Sequence, residues 1–269
     1  MEVPGYVPQI PIPRPQIPIP RPQPPIHTKP PKPHRTEEEP KCKQTHKIRI
    51  AVIDTGFGYM GKGSKAHLCK YGHRDFTGYS EYNHKTFTPD PVPRDIDHGH
   101  GTNIVGLIDK YASDSGVSYC IVVLKFYRDD AITDENVRAE VEAIEWAISL
   151  HVDFINLSEG GEKYSEAEAE AVKKFIDGGG TVIAAAGNEN HDLAEHPYYP
   201  AMSDPRVIVV GNIYKNGERS KISNYGDRVD VWEVGDNQTA NGITLTGTSQ
   251  AAAITTGKTV ALMKQVCYK

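Results

Sequence analysis

Short apolar runs rich in β-branched residues alternate with helical patterns along most of the chain. One helical pattern puts Val137, Val141 and Ile144 on a single face, and another opens with the capping-box residues Ser165 and Glu168. The candidate strands are 48–53, 121–124, 153–157, 181–185 and 207–210. This alternation predicts an α/β fold of three layers, in which helices cover both faces of a mainly parallel sheet.

The first 46 residues differ in composition, because 14 of the 20 prolines lie within the first 40 positions. The heptapeptide Pro-Gln-Ile-Pro-Ile-Pro-Arg occurs at 8–14 and again at 15–21. Proline removes amide donors and fixes φ, so the segment favours polyproline II. We interpret 1–46 as an extended tail and linker, either a spacer or a docking ligand for a partner, and 47–269 as the folded domain.

Charge, hydropathy and cysteine spacing narrow the classes of protein. The formal net charge of −5 speaks against nucleic acid as a partner. The sequence lacks both the roughly 18-residue apolar stretch of a membrane span and the pattern of a secretory signal. The four cysteines are too scattered for a disulfide scaffold, and Cys120 is expected to be an unpaired buried residue. The missing signal fits a reducing, cytoplasmic compartment.

Two ionisable residues lie next to predicted strand or helix ends. Asp54 closes the first strand, where a carboxylate alone would be read as the cap of a turn. His100 opens an apolar, helix-like run, and the positive end of a helix dipole keeps an imidazole neutral and able to accept a proton. Taken alone, His100 would be read as an ordinary surface histidine.

Two further polar residues occupy comparable positions. Asn188 follows the strand at 181–185, and its amide can donate a hydrogen bond without titrating, which suits an oxyanion site. Ser249 precedes a helix of small residues, where a hydroxyl gains nucleophilic character from the helix N-terminus. Each has an ordinary alternative, a turn asparagine and an N-cap serine.

The four residues occur in the order Asp54, His100, Asn188 and Ser249, each flanked by Gly or Thr. This combination resembles the subtilisin-like serine peptidases, or subtilases, whose triad follows the order Asp, His, Ser. The similarity covers about residues 47–266 and none of the tail. Further segments that match the family are 144–148, 155–161, 199–201, 207–211, 220–226 and 229–231.

The resemblance implies a serine endopeptidase with these four residues in defined roles. Ser249 would attack the scissile carbonyl, and His100 would take its proton and return it to the leaving amine. Asp54 would orient His100, while Asn188 and the main-chain amide of Ser249 would hold the oxyanion. The neighbouring His98 is not chosen, because only His100 fits the family pattern His-Gly-Thr-x-x-x-Gly.

Substrate contacts are also implied by the resemblance. One wall of the first specificity pocket would be the strand of Ser158, Glu159 and Gly160, and the other would be Ala185, Ala186 and Gly187. Family members often carry an apolar residue at the position of Glu159. A carboxylate there predicts some preference for basic substrate side chains.

The chain departs from the family pattern in several places. Ala253 stands where a proline usually follows the nucleophile, and the chain ends soon after that helix, which indicates a minimal or trimmed domain. The family's calcium-holding loop is missing, so we expect no cofactor, although a structural calcium ion is compatible with the family. The insert 59–72, with His67, Cys69 and nearby His73, lacks standard zinc-ligand spacing and is predicted to be a mobile surface loop without a metal.

The sequence is compatible with three functions of the folded domain. The leading one is an endopeptidase acting on protein or peptide substrates. A second is a non-catalytic subtilase-fold module tethered by its Pro-rich tail, and a third is an esterase or transacylase using the same triad. The tail is also a candidate latch across the cleft, since proline denies a substrate strand its amide hydrogen bonds.

Overall fold

The computed structural model describes residues 46–59, 66–78, 92–95, 99–129, 131 and 133–263. The tail assigned to 1–46 lies outside these residues except for its last position, and His98 also lies outside them. The strands are β1 (Ile48–Asp54), β2 (Arg74–Asp75), β3 (Tyr119–Lys125), β4 (Phe154–Leu157), β5 (Thr181–Ala185), β6 (Ile208–Ile213), β7 (Val231–Val234), β8 (Gln238–Ala240) and β9 (Ile243–Leu245). The helices are α1 (His100–Ser113), α2 (Thr133–Ser149), α3 (Glu166–Asp177) and α4 (Thr248–Leu262).

Seven strands form one sheet in the order β2-β3-β1-β4-β5-β6-β7, and every neighbouring pair is parallel. The central strand β1 pairs in register with β3, from Ile48 opposite Tyr119 to Asp54 opposite Lys125. β8 and β9 form a separate antiparallel hairpin. The mainly parallel sheet predicted from the sequence is therefore confirmed.

Alternating side chains of the strands feed two apolar cores, one on each face of the sheet. Ile53 and Leu124 face a core that includes residues of α2 and α3, whereas Val52 and Val123 face a core with residues of α1 and α4. Since both faces are covered, the central strands are apolar on both sides, which explains their continuous hydrophobic runs. The three-layer arrangement matches the prediction.

Helices α1 and α4 pack closely, and this brings their N-termini to the same end of the sheet. A Cβ on Gly257 of α4 would lie 2.7 Å from the carbonyl oxygen of Ile108 in α1, so only glycine permits this approach. Asn103 of α1 donates to the carbonyls of Gln238 and Ile243, and Gln250 of α4 donates to Asn103. The β8–β9 hairpin is thereby joined to both helices.

Cys120 is buried as expected, but the prediction that it is unpaired is wrong. It forms a disulfide with Cys69, 51 residues earlier in the chain. Disulfides persist mainly in oxidising environments, so this bond speaks against the reducing compartment that was expected from the missing signal.

The described part of the insert between Asp54 and His100 is attached to the sheet. Leu68 forms a bridge with Ile121 of β3, and Cys69 follows it into the disulfide. His73 is 2% exposed, its Nε2 contacts the carbonyl of Cys69 at 2.8 Å, and its Nδ1 accepts from the amide of Val123. Residues 66–73 are therefore attached to β3, although Tyr71 among them is 55% exposed. Residues 60–65 of the predicted surface loop lie outside the described residues.

Among the described residues, none of the helices combines the length and the apolar character that crossing a bilayer requires.

Candidate active site

The four residues singled out in the sequence lie at the carboxyl ends of the parallel strands or on the helices that start there. Asp54 is the last residue of β1, and Asn188 follows β5. His100 is the first residue of α1, and Ser249 is the second of α4. In open parallel sheets this edge is where ligands bind.

Asp54 and His100 form a direct pair. His100 Nδ1 lies 2.8 Å from Asp54 Oδ1, and the Asp54 side chain is 2% exposed. Because a carboxylate oxygen only accepts, Nδ1 carries the proton and Nε2 is left as the basic nitrogen. A Cβ on Gly101 would lie 2.3 Å from the carbonyl oxygen of Gly56, so glycine allows α1 to start this close to β1.

A second buried carboxylate, Asp95, holds the first turn of α1. Its Oδ1 accepts from the amide of Gly99 at 3.1 Å, and its Oδ2 accepts from the amide and the hydroxyl of Thr102 at 3.0 and 2.8 Å. Asp95 is 1% exposed. Asp95 lies only five residues before His100, but no pattern in the sequence distinguishes it from an ordinary loop carboxylate.

The pKa of His100 is raised above its usual 6.5 by the net effect of opposed causes. Burial is the largest single influence and lowers the pKa. The charge of Asp54, its hydrogen bond to His100 and the charge of Asp95 together outweigh burial. His100 is therefore a stronger base than a free histidine.

Ser249 is 8% exposed, and its hydroxyl donates to the main-chain carbonyl of Ser158 at 2.7 Å. The hydroxyl of Ser158 in turn donates to the carbonyl of Ser249 at 3.1 Å. Within the described residues, the hydroxyl of Ser249 makes no hydrogen bond to His100. The structure thus joins Ser249 to the predicted substrate strand.

Asn188 lies beside the N-terminus of α4. Its Oδ1 accepts from the amide of Thr248 at 2.9 Å and from the Thr248 hydroxyl at 3.2 Å. The side chain is exposed, and among the described residues its Nδ2 has no hydrogen-bond partner. This amide is available to a ligand.

The two segments predicted to line the first specificity pocket both reach the N-terminus of α4. Ser158 contacts Ser249, and the amide of Gly187 donates to the hydroxyl of Thr248 at 3.2 Å. Gly160 is exposed, whereas Ala185 and Ala186 are buried. The two segments therefore flank the start of the helix that carries Ser249.

Glu159 belongs to a group that the sequence did not reveal. With Glu140 of α2 and Glu168 of α3 it lines a cavity of about 270 Å³. Burial, followed by the charge of Glu168, raises the pKa of Glu159 to about 8. Glu140 and Glu168 are separated from Glu159 in sequence and resemble ordinary helical glutamates, so no sequence pattern pointed to them.

One group in the described part of the chain has the spacing of a metal site. Ligand atoms of Glu162, His191 and His196 all lie within 4.8 Å of one another. At present His191 Nδ1 contacts Glu162 Oε1 at 3.0 Å, and the two imidazole rings are 4.3 Å apart. The sulfur of Cys69, a residue whose spacing did not predict a zinc site, is in the disulfide with Cys120.

Comparison with known sequences supports the same family as the motifs. The subtilase family model matches residues 45–268. Subtilisin DY of Bacillus licheniformis is 28% identical over 227 residues, which are 81% of this chain and 77% of that protein. The major intracellular serine protease of Bacillus subtilis is 30% identical over 232 residues, 81% of this chain and 68% of that protein. Subtilisin-like protease 6 of Arthroderma benhamiae is 31% identical over 213 residues, 71% of this chain but only 50% of its own length.

Solved structures share the fold. A cold adapted subtilisin-like serine proteinase matches with a TM-score of 0.61 and 25% identity, over 81% of this chain and 75% of that one. A lanthipeptide protease matches with a TM-score of 0.66 at 19% identity, over 81% and 73% of the two chains, which bears on the fold alone. From its motifs, its fold and these matches, the chain belongs to the subtilase family of serine endopeptidases.

Proposed function

We propose that this protein cleaves peptide bonds by nucleophilic attack of Ser249, with His100 as general base and Asp54 as its orienting partner. The observation that carries the proposal is the 2.8 Å contact between His100 Nδ1 and the buried Asp54 Oδ1. It fixes the tautomer in which Nε2 is unprotonated and able to take the serine proton. A binding module has no need of this buried pair.

Attack requires the Ser249 hydroxyl to leave the carbonyl of Ser158 and turn towards His100 Nε2. Rotation about χ1 of a serine is a small movement, and catalytic hydrogen bonds are often formed only once substrate is bound. His100 then takes the hydroxyl proton as Oγ bonds to the scissile carbonyl carbon. Asp54 stabilises the resulting imidazolium, and the same proton passes to the leaving amine.

Negative charge on the carbonyl oxygen would be held by Asn188 Nδ2 and the main-chain amide of Ser249. The contact of Asn188 Oδ1 with the Thr248 amide supports this role, because it orients the side-chain amide beside the start of α4. A water molecule then hydrolyses the acyl-enzyme, with His100 again as base. Protein groups and water perform all of these roles, so the proposed mechanism requires no cofactor. Activity should therefore be retained after exhaustive dialysis against EDTA.

We propose that the substrate main chain lies against Ser158, Glu159 and Gly160, with the first side chain before the scissile bond between this strand and Ala185, Ala186 and Gly187. Support comes from the convergence of both segments on the N-terminus of α4. The family relationship implies protein or peptide substrates.

A fluorophosphonate probe, which reacts with activated serines, tests the proposal. We expect it to label the full chain and to fail with Ser249→Ala, while Ser113→Ala, an exposed serine of α1, is labelled normally. Absence of labelling in the parent protein would favour the non-catalytic module. Turnover of ester substrates with no detectable cleavage of matched peptide substrates would favour an esterase.

For the Pro-rich tail we propose docking to a partner, on the strength of its repeated Pro-Gln-Ile-Pro-Ile-Pro-Arg sequence. Deletion of residues 2–40 should leave kcat/KM for a short peptide unchanged. A rise in kcat/KM would instead indicate a latch across the cleft.

A further inference from the structure

Three glutamates from three different segments converge on one cavity. Glu140 lies on α2, Glu159 follows β4, and Glu168 lies in the first turn of α3. They line a space of about 270 Å³, many times the ~30 Å³ that one water occupies in the liquid. We call this space the acidic cavity.

The carboxyl groups of the acidic cavity are buried and incompletely bonded. Glu140 is 2% and Glu168 is 3% exposed. Glu140 Oε1, Glu159 Oε1 and Glu168 Oε2 are all shielded from solvent and have no hydrogen-bond partner. Each residue has only one such oxygen, since Glu140 also shares side-chain hydrogen bonds with Glu159 and with Glu168. Three buried carboxyl groups with one unpartnered oxygen each are unusual in a folded protein.

Glu168 departs from its expected local role. In a capping box its side chain would bond back to the N-cap amide. Here the Ser165 hydroxyl accepts from the Glu168 amide, which is half of the motif, while the Glu168 carboxyl group lines the cavity instead. The helix end therefore gives up one hydrogen bond to keep a carboxyl group in the cavity.

No cation of the protein neutralises the cavity among its described lining residues. Lys163 is the one basic residue there, and its Nζ contacts Asp134 on the surface. The other titratable groups around the three glutamates are the phenols of Tyr127, Tyr198 and Tyr199 and, acting on Glu159 through its charge, Asp54. None of these carries a positive charge.

The cavity adjoins the strand along which we propose that substrate binds. Gly160 and Gly161 line it together with Glu159. Ala131 and Thr133 also line it. A substrate side chain before the scissile bond can therefore enter it from the strand.

The spread of the carboxyl groups favours a side chain over a metal ion. In the described part of the chain, three metal-ligand atoms approach within 4.8 Å of one another only at Glu162, His191 and His196. The glutamates of the acidic cavity do not meet that spacing. Glu140 adjoins both Glu159 and Glu168, but the three carboxyl groups do not meet around one point, and an elongated cation with several N–H donors fits such a set better than a single ion does.

We propose that Glu140, Glu159 and Glu168 form a binding site for one lysine or arginine side chain of the substrate, on the amino-terminal side of the scissile bond. The proposal rests on the proposed peptidase function and deepens it. It extends the expectation for Glu159 to a site of three carboxyl groups, two of which lie on helices behind the substrate strand.

Binding of the cation should be coupled to release of protons. Burial and, next, the charges of neighbouring glutamates raise the pKa of Glu140, and burial also raises that of Glu168. A bound ammonium or guanidinium group favours their ionised forms. Preference for a cationic side chain should therefore increase from pH 6 to pH 8.

The test uses peptides that carry either arginine or citrulline, its neutral isostere, at each of the four positions before the scissile bond. The readouts are kcat/KM for the parent protein and the affinity of the same peptides for Ser249→Ala. At one position we expect kcat/KM for the arginine peptide to exceed kcat/KM for the citrulline peptide by at least ~10-fold at pH 8. Titration of His100 affects both peptides equally, so it does not change this ratio of kcat/KM values. A second pair of peptides, with lysine and its neutral counterpart norleucine, shows which of the two cations is preferred.

Glu159→Gln, Glu168→Gln and Glu140→Gln should each reduce the ratio towards one. Glu166→Gln and Glu142→Gln, exposed residues of the same two helices, should preserve it. If Glu140→Gln or Glu168→Gln does not fold, the result for Glu159→Gln decides the test, because Glu159 is the least buried of the three residues.

A ratio within twofold of one at all four positions, or a preference that survives all three glutamine variants, would overturn the proposal. If peptides are cleaved without such a preference, this inference alone fails. If nothing is cleaved but Ser249→Ala still prefers arginine through these glutamates, the cation site stands and the proposed peptidase function fails.

Discussion

The side-chain oxygen of Asn188 accepts a hydrogen bond from the main-chain amide of Thr248, 2.9 Å away. The Thr248 hydroxyl reinforces this contact at 3.2 Å and also accepts from the amide of Gly187. The loop after β5 is thereby held against the first turn of α4. Since Oδ1 is occupied in this way, the Nδ2 group is the end of the amide that faces outward.

Asn188→Asp tests whether this outward donor stabilises the transition state. Aspartate keeps an oxygen for the Thr248 amide but replaces the donor by an acceptor. We expect kcat to fall by at least ~10²-fold with little change in KM, because the oxyanion exists only during the reaction. Steady-state kinetics with a quenched fluorescent peptide measures both constants.

Asn216→Asp, in an exposed turn, is the control and should leave both constants unchanged. A value of kcat within threefold of the parent in Asn188→Asp would remove Asn188 from the oxyanion site. A rise in KM alone would assign it to substrate binding instead.

Asp95 should influence the pH at which the enzyme becomes active. The base His100 must be neutral, so activity should fall as the pH drops through its pKa, which lies above 6.5. The charge of Asp95 contributes to that raised pKa. Asp95→Asn should therefore move the acid limb of the kcat/KM profile to lower pH.

The pH profile separates this electrostatic effect from a loss of structure. Asp109→Asn is the control. It removes a carboxylate of α1 that bonds to Tyr119 and His67, far from the catalytic pair. It should lower stability without moving the acid limb. An unshifted limb in Asp95→Asn would limit Asp95 to holding the Thr102 turn.

The parts of the site that the sequence revealed are those encoded by local pattern. Asp54 ends an apolar strand, Asn188 follows one, and His100 and Ser249 lie in the first turns of helices, so short segments of sequence indicated both the position and the role of each residue. The parallel order of the strands followed from their alternation with helices.

Other parts of the site were not predicted from the sequence. Asp95 holds the first turn of α1 from the preceding loop, and nothing in the sequence distinguishes it from other loop carboxylates. Glu140 and Glu168 occupy ordinary polar positions of helical patterns and gain their meaning only where α2 and α3 meet the strand after β4. The pairing of Cys69 with Cys120 likewise requires knowledge of the fold, since four cysteines permit several pairings.

The disulfide between Cys69 and Cys120 should stabilise the fold. It closes a loop across a sequence separation of 51 residues, for which the chain-entropy model gives about 4 kcal/mol. Cys69→Ala with Cys120→Ala should lower the free energy of unfolding by roughly this amount, measured by urea denaturation. Either single substitution should cost nearly as much as the double, because each one removes the bond. Additive effects of the two substitutions would mean that the residues contribute by packing alone.

The glutamates of the acidic cavity should make stability depend on pH. Burial, then the charge of Glu168, raises the pKa of Glu159 from 4.5 to about 8, and the pKa of Glu140 is raised as well. Between these pH values the unfolded chain has released protons that the folded protein retains. The free energy of unfolding should therefore fall as the pH rises from about 4.5 to 8.

Glu140→Gln should reduce the fall in the free energy of unfolding with rising pH, because a glutamine has no proton to release on unfolding. We expect its Tm to exceed that of the parent by at least ~2 °C at pH 8, equivalent to about 1 kcal/mol for a chain of this size, and by much less at pH 5. Glu142→Gln, an exposed neighbour on α2, should show no such dependence on pH. A lower Tm for Glu140→Gln at pH 8 than at pH 5, each relative to the parent, would mean that Glu140 is stabilised as a carboxylate in the folded protein. A higher Tm of Glu140→Gln at pH 8, together with a loss of its discrimination between arginine and citrulline peptides, would show that the residue that binds the cation also lowers the stability of the folded protein.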